Sequence, residues 1–313
     1  MRSRSQEPGT KGHVKASMAR AESPEPKADH YSYLAYADPA MAERFDRVRF
    51  GGPIGALLLE DQERVLGDFL GDLTGRQVID VGTGTGRAAI ALARLGAQVI
   101  GVDASAPMLD AARKRAAQAG LSITFERDDA HALPFATGTF DHAVSLRVLM
   151  HTPDWRRCLG ELCRVTRHSV VVDFPALASA AALQAIARRA TQAMGPKVEA
   201  YRVFTLRTIT RELERQGFRV RRVHRQFVLP IAAHKLIGSR SFTVTAERAL
   251  AAVGLLRLAG SPVTIVAERQ GPQLGDPNAA AALGTPQRDS QGPQRGTRAG
   301  VASRDGAPRC GSS

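Results

Sequence analysis

The chain of 313 residues has only 3 cysteines, and aromatics make up only 5% of it, with a single Trp. Three cysteines cannot build the multi-bridge framework on which small secreted domains rely. Cys158 and Cys163 share one helical pattern, and Cys310 stands in a polar stretch. The histidines show no paired ligand spacing either, so metal chemistry is not expected. Long apolar runs are also missing. The longest charge-free apolar stretch, Pro175 to Ala187, carries Ser and Gln and falls short of the ~20 residues a membrane span needs. Met1 to Arg20 is basic and polar without an apolar centre, so no secretory signal is visible and the cytoplasm is the expected compartment. Acidic residues are in deficit, 30 against 43 basic, for a formal charge of +13.

What is present is a core-forming composition, 43% hydrophobic, which excludes a chain disordered throughout. Residues 1–28 and 271–313 lack large apolar clusters and are expected to be disordered tails, the first of them basic. They hold 6 basic against 3 acidic and 5 against 3 residues, so +8 of the charge belongs to the globule. Between them, short β-branched runs alternate with longer helical patterns, the mark of βα units and a parallel sheet. The strand candidates are Gln77–Val81, Gln98–Val102, Ser122–Glu126, Phe140–Leu146, Ser169–Phe174, Phe218–Leu229 and Val263–Ala267. Helical spacing recurs at Ala88, Leu92 and Leu95, at Met108, Ala112 and Ala116, at Leu159 and Leu162, and at Leu206, Ile209 and Leu213. A further helix-like segment runs from Ala176 to Met194, inside an insertion around 176–206.

The strongest local feature is Asp80-Val81-Gly82-Thr83-Gly84-Thr85-Gly86-Arg87, an apolar strand running through a glycine turn into a helix. Glycine permits positive φ and close ligand approach, and the helix start presents free N–H groups. A dinucleotide fingerprint would need its third glycine at position 87, which is Arg, and Asp80 would repel a pyrophosphate. The loop therefore suits a ligand with a cationic end rather than NAD. Asp103, 21 residues after the first glycine, stands where a carboxylate accepts both hydroxyls of a ribose, although it could instead cap the helix opening at Ser105. In Asp128-Asp129-Ala130-His131 a carboxylate could accept from an adenine amino group.

Together these pieces resemble the class I S-adenosylmethionine-dependent methyltransferases, in particular the type 11 group that includes ubiquinone and menaquinone biosynthesis enzymes. The resemblance is carried by Asp80 to Gly86, Asp103-Ala104-Ser105 with Met108-Leu109, Asp129-Ala130 with Leu133-Pro134-Phe135, Phe140-Asp141, and Glu161 with Arg164-Val165. It is close over 77–168 and looser over 30–269. The family's Pro-Gly-Gly turn is replaced here by Arg167-His168-Ser169. The resemblance implies an α/β Rossmann-like open sheet of seven strands, mostly parallel with the last antiparallel, helices on both faces and an N-terminal helical cap. It implies S-adenosyl-L-methionine as cofactor, held by Asp80, Gly82, Thr83, Gly84, Gly86, Asp103, Ala104, Met108, Asp129 and Ala130, with Leu146 and Arg147 facing the methyl group.

Such chemistry needs alignment of an acceptor more than a covalent nucleophile. If a proton must leave the acceptor, His151, just past the fourth strand, is the first choice of base, with His131, His142 and Asp141 behind it. The expected acceptor is a small lipophilic or aromatic molecule. Residues 29–75, with Tyr31, Tyr33, Tyr36, Met41, Phe45, Val48, Phe50 and Ile54, either cap the site or pack against the sheet. The basic segment Arg207 to Arg240 is read as a solvated face, or as a surface for nucleic acid, anionic lipid or an acidic substrate. A nucleic-acid-binding or RNA-modifying protein on the same fold is the alternative, though the fourth strand ends Ser145-Leu146-Arg147-Val148 without a clamp for a flipped base.

Overall fold

A computed structural model describes residues 39–179 and 201–271. Both expected tails, Tyr31, Tyr33 and Tyr36, and the expected helix beyond residue 179 lie outside the described residues, as do the side chains of Met41 and Phe45. Two helices, α1 (Pro39–Phe50) and α2 (Gly52–Leu70), precede the sheet. Then follow β1 (Gln77–Val81), α3 (Arg87–Arg94), β2 (Gln98–Asp103), α4 (Ala106–Gln118), β3 (Thr124–Arg127), β4 (Phe140–Ser145), α5 (Trp155–Val165) and β5 (Thr166–Phe174). The chain continues through α6 (Leu206–Arg215), β6 (Phe218–Phe227), three short helices α7 (Ile231–Ile237), α8 (Arg240–Ala252) and α9 (Leu255–Ala259), and β7 (Ser261–Arg269).

The seven strands run in the order β3-β2-β1-β4-β5-β7-β6. All neighbours among β1 to β5 are parallel, and β7 is antiparallel to both β5 and β6. Alternation along each strand sorts side chains onto two faces. Ile79, Ala143, Val170 and Ile265 join one core with Leu159 and Leu162 of α5 and Ile209 of α6. Val78, Val144, Val171 and Val266 join the other with Leu66 of α2, Leu92 of α3 and Leu109 of α4. A strand such as β1, buried on both faces, must be apolar nearly throughout, which is why its single carboxylate stands out.

Helix ends follow local chemistry. Ser105 caps α4 by accepting from the Met108 amide at 3.3 Å, and Asp154 caps α5 by accepting from Arg157 at 3.1 Å. The Ala176 end of the expected helix is instead a turn, with Ala176 bridging to Phe204. The third strand starts two residues later than its apolar pattern suggests. Because β1 lies between β2 and β4, chain direction across the sheet switches there, and the carboxyl ends of these strands open into a crevice.

Candidate active site

The crevice at that switch point encloses a cavity of about 180 Å³. Asp80, Val81, Val102 and Asp103 reach it from the ends of β1 and β2, and Leu146, Arg147 and Val148 from the end of β4. The glycine turn is held by β2: the Gly82 and Thr83 amides donate to the Val102 carbonyl at 2.8 and 3.0 Å. Gly82 has φ +70, and a Cβ there would stand 2.2 Å from a Val148 methyl, so the turn tolerates no side chain. Gly84, at φ +54, faces open space instead: a Cβ would meet nothing within 4 Å. Backbone thus lines the crevice where a ligand can lie directly on it.

Asp103 ties the loop to the next helix. Its Oδ2 accepts from the Gly84 amide at 2.8 Å and its Oδ1 from the Ser105 amide at 2.9 Å. A carboxylate offers about four lone-pair directions, so Asp103 keeps capacity for a hydroxyl of a ligand. Burial raises the Asp103 pKa, and the amides of Ser105, Gly84 and Ala104 oppose that rise. Asp80 is 1% exposed, and its Oδ2 accepts from the Thr83 hydroxyl at 2.6 Å. Burial pushes its pKa up to about 7, against the hydrogen bonds from Thr83 and the Ala89 amide. A buried carboxylate of that kind favours a cation beside it.

Thr83, Ala104, Met108 and Ala130 also line the crevice, together with Asp128. Gly86 and Asp129 are not in its wall. Gly86 caps α3 in left-handed conformation and packs on Ala112 of α4. The Asp129 carboxylate is engaged by His131: Oδ1 accepts the His131 amide at 2.9 Å and lies 2.7 Å from Nδ1. Since His131 Nε2 accepts from the Asp154 amide at 3.4 Å, its ring is set as a link between two loops.

His151 borders the crevice, with its ring 6.1 Å from that of Tyr201. Asp141 and His142 do not. They sit toward the other end of β4, where Asp141 Oδ2 accepts the Gln77 amide at 2.9 Å and His142 Nδ1 lies 2.6 Å from Ser169 Oγ. Burial, aided by His168, holds the His142 pKa down at about 4. Strand direction explains the difference: only the carboxyl ends face the crevice.

The N-terminal helices reach the same place. Arg49, Phe50 and Gln62 form part of the wall. Asp46 Oδ1 accepts from Thr85 Oγ1 at 2.9 Å and from Arg87 Nε at 2.8 Å, and its Oδ2 pairs with Arg115 of α4. The Phe50 ring lies 4.4 Å from the Arg87 guanidinium and 5.1 Å from that of Arg147. Ile54 is buried, whereas Val48 is 66% exposed and packs into neither core. The sequence pattern did not mark Asp46, Arg115 or Asp173, and within Asp128-Asp129 it did not tell which carboxylate reaches the crevice. An acidic residue at the tip of β5, as at β1 and β2, was the available signal for Asp173.

Much of the basic segment is occupied internally. Arg215 pairs with Glu212, Arg221 with Glu268 and Arg240 with Glu60, while Arg222 bonds the Asp68 carbonyl and Arg225 that of Gly260. Among the described residues no group of His, Cys, Asp or Glu could hold a metal ion, and no helix is long and apolar enough to cross a membrane.

Residues 78–169 match the family model described as a methyltransferase domain. A demethylmenaquinone methyltransferase of Thermus thermophilus is 39% identical over 105 residues, which are 32% of this chain and 48% of that protein. A ubiquinone biosynthesis O-methyltransferase of Methylocella silvestris is 33% identical over 153 residues, 41% of this chain and 60% of that one. The chain spans about half the length of the curated relatives it matches. In three dimensions it resembles magnesium protoporphyrin IX methyltransferase of Synechocystis crystallised with SAH. That likeness has a TM-score of 0.55 at 19% identity and covers 76% of this chain and 98% of the other. The 78–169 segment, which carries the glycine turn, thus matches a methyltransferase domain, as found in the class I S-adenosylmethionine-dependent methyltransferases.

Proposed function

We propose that the protein is a methyltransferase that uses S-adenosyl-L-methionine to methylate an oxygen or carbon of a small lipophilic or aromatic acceptor. The observation that carries this reading is the convergence of Asp80, Asp103 and Asp128 with the bare backbone at Gly84 on one crevice. The donor set fits the cofactor's groups. Asp80 suits the ammonium, the spare lone pairs of Asp103 suit the ribose hydroxyls, and Asp128 with Ala130 supplies polar contacts for an adenine edge. Here the neighbouring Asp128 takes the part first expected of Asp129.

When bound, the cofactor supplies a methyl group on a positively charged sulfur, which is already a good leaving group. The protein therefore has to align and to exclude water rather than to form a covalent intermediate, and alignment supplies about 7–11 kcal/mol. Leu146 and Val148 give an apolar wall at the tip of β4, and α1 covers the crevice through Asp46, Arg49 and Phe50. Water exclusion strengthens each polar contact inside. His151 is positioned to take a proton from an acceptor hydroxyl.

Calorimetric titration with S-adenosylhomocysteine beside NAD tests the cofactor, with binding of the first alone expected. Incubation with isotopically labelled methyl donor and a lysate of the source cell, followed by mass spectrometry, then identifies the acceptor. A chain that binds NAD and ignores S-adenosylhomocysteine sinks the reading. Unchanged single-turnover transfer by His151→Ala removes the base and leaves the rest.

A further inference from the structure

A second cavity of about 120 Å³ adjoins the first, and Arg49 and Arg147 line both. Its body is apolar, formed by Met150, Phe227, Leu229, Ile231 and Pro262, which come from β6 and the segments around it. Its end toward the crevice is charged, with Arg49, Arg147 and the Asp173 carboxylate among the described residues that line it. Lys235 lies close by, its ammonium bonded to the Val48 and Arg49 carbonyls at 2.7 Å each. Burial lowers the pKa of Lys235, and the positive charges of Arg49 and Arg147 lower it further.

Arg147 is built to present its guanidinium here. It is the single non-glycine residue with positive φ among the described residues, at +64. A side chain rarely adopts that conformation, and it persists only where the surroundings impose it. Asp173 imposes it by accepting the Arg147 main-chain N–H. This use of Asp173 on the backbone leaves the guanidinium outside ion-pair distance of any carboxylate among the described residues. The Phe50 ring lies 5.1 Å from it. An aromatic face steadies a cation but leaves all five of its N–H donors unspent. Burial pulls the Arg147 pKa down to about 10, which still leaves the group charged at neutral pH.

A planar, half-buried guanidinium with unspent donors at the end of an apolar slot matches a carboxylate, which accepts two parallel hydrogen bonds. We propose that this second cavity is the acceptor's chamber and that it takes an amphiphilic acid, whose apolar body lies along Phe227, Leu229 and Ile231 and whose carboxylate meets Arg147 and Arg49. The inference rests on the methyltransferase reading, since it places the acceptor beside the cofactor crevice. Asp173 sets the polarity: it repels an anion from its own side of the chamber and can accept a hydroxyl there.

The test uses the full chain saturated with S-adenosylhomocysteine and titrated calorimetrically with cinnamate and with its uncharged amide, cinnamamide. A site built around charged donors rejects an isostere that cannot satisfy them. Cinnamate is expected to bind at least tenfold tighter, and Arg147→Met is expected to narrow that preference below threefold. Equal affinity for acid and amide, or no heat from either up to their solubility limit, overturns the proposal. The wild-type comparison decides the matter even if the variant does not fold. A parallel arm compares S-adenosylhomocysteine with methylthioadenosine, which lacks the amino-acid carboxylate. If Arg147→Met narrows that gap and spares the cinnamate preference, the guanidinium serves the cofactor and the proposal fails. Failure of the methyltransferase reading shows separately, as absence of S-adenosylhomocysteine binding by the wild-type chain. The acid and amide are then compared on the chain alone, where a tenfold preference for the acid supports the chamber and equal affinity overturns it.

Discussion

Asp46 of α1 and Arg87 at the start of α3 form an ion pair, Oδ1 to Nε 2.8 Å, that fastens the N-terminal helix to the glycine turn. The same carboxylate also accepts from Thr85 and pairs with Arg115, so one side chain on α1 joins two residues of the crevice wall, Thr85 and Arg87, to α4. Asp46→Ala removes all three contacts and leaves two partly buried guanidiniums without their partner. Hydrogen bonds to charged groups contribute roughly 1.5–3 kcal/mol, reduced where solvent reaches them, so S-adenosylhomocysteine affinity is expected to fall about tenfold. Calorimetry measures it, and an affinity within twofold of the parent would detach α1 from cofactor binding.

Asp103 bridges Gly84 and Ser105. In Asp103→Ala both amides lose their acceptor, and on the proposed reading the cofactor's ribose hydroxyls would lose theirs. Two effects are expected: a stability loss of about 1–3 kcal/mol in urea unfolding, and S-adenosylhomocysteine binding weakened by more than tenfold. Asp103→Asn should recover part of the stability and less of the binding, because its amide nitrogen cannot accept from a hydroxyl.

Asp80 gives the ligand-free protein a pH signature. Its folded pKa, raised to about 7 by burial, lies above the ordinary value of 3.8. Between those values the folded state binds the proton that the unfolded chain releases. The contribution of Asp80 to stability is therefore full below the ordinary value and is lost as pH rises through about 7. Urea unfolding from pH 4 to 8 should show this fall in the parent and a flatter profile in Asp80→Asn. Identical profiles would contradict the buried placement of this carboxylate.

Two glycines of one turn should fail in different ways. Gly82→Ala places a methyl 2.2 Å from Val148 at φ +70, so the folded state itself is expected to suffer, by more than 2 kcal/mol. Gly84→Ala meets nothing within 4 Å and bears only the cost of a left-handed residue, about 1 kcal/mol. Its methyl instead occupies ligand space. Thermal unfolding and calorimetry together separate the two: Gly82→Ala loses stability first, and Gly84→Ala keeps its fold while binding S-adenosylhomocysteine at least tenfold more weakly.

The centre of the sheet was legible because β1, β4 and β5 are buried on both faces and so are largely apolar, and the helices because they keep 3.6-residue spacing. Asp80, Asp103 and the glycine turn were legible because strand ends and crossover turns are local features. Asp46 was not. Its partners Arg87 and Arg115 are 41 and 69 residues away, and nothing in a helix marks which exposed acid will find them. Which of Asp128 and Asp129 faces the crevice was hidden for a similar reason, since adjacent carboxylates are told apart only by which one the folded loop turns into the wall. His142 and Asp141 were drawn in as bases by residue type alone, and strand polarity puts them at the wrong end of β4.

Phe50 is the ring under two guanidiniums, Arg87 beside the glycine turn and Arg147 on the wall common to both cavities. Any tilt of α1 that suits one guanidinium alters the stacking of the other. Filling either cavity should then be felt in the affinity of the other, and by the same factor in both directions, as linkage requires. The cooperativity between cofactor and acceptor would be set by the seat of a single phenyl group.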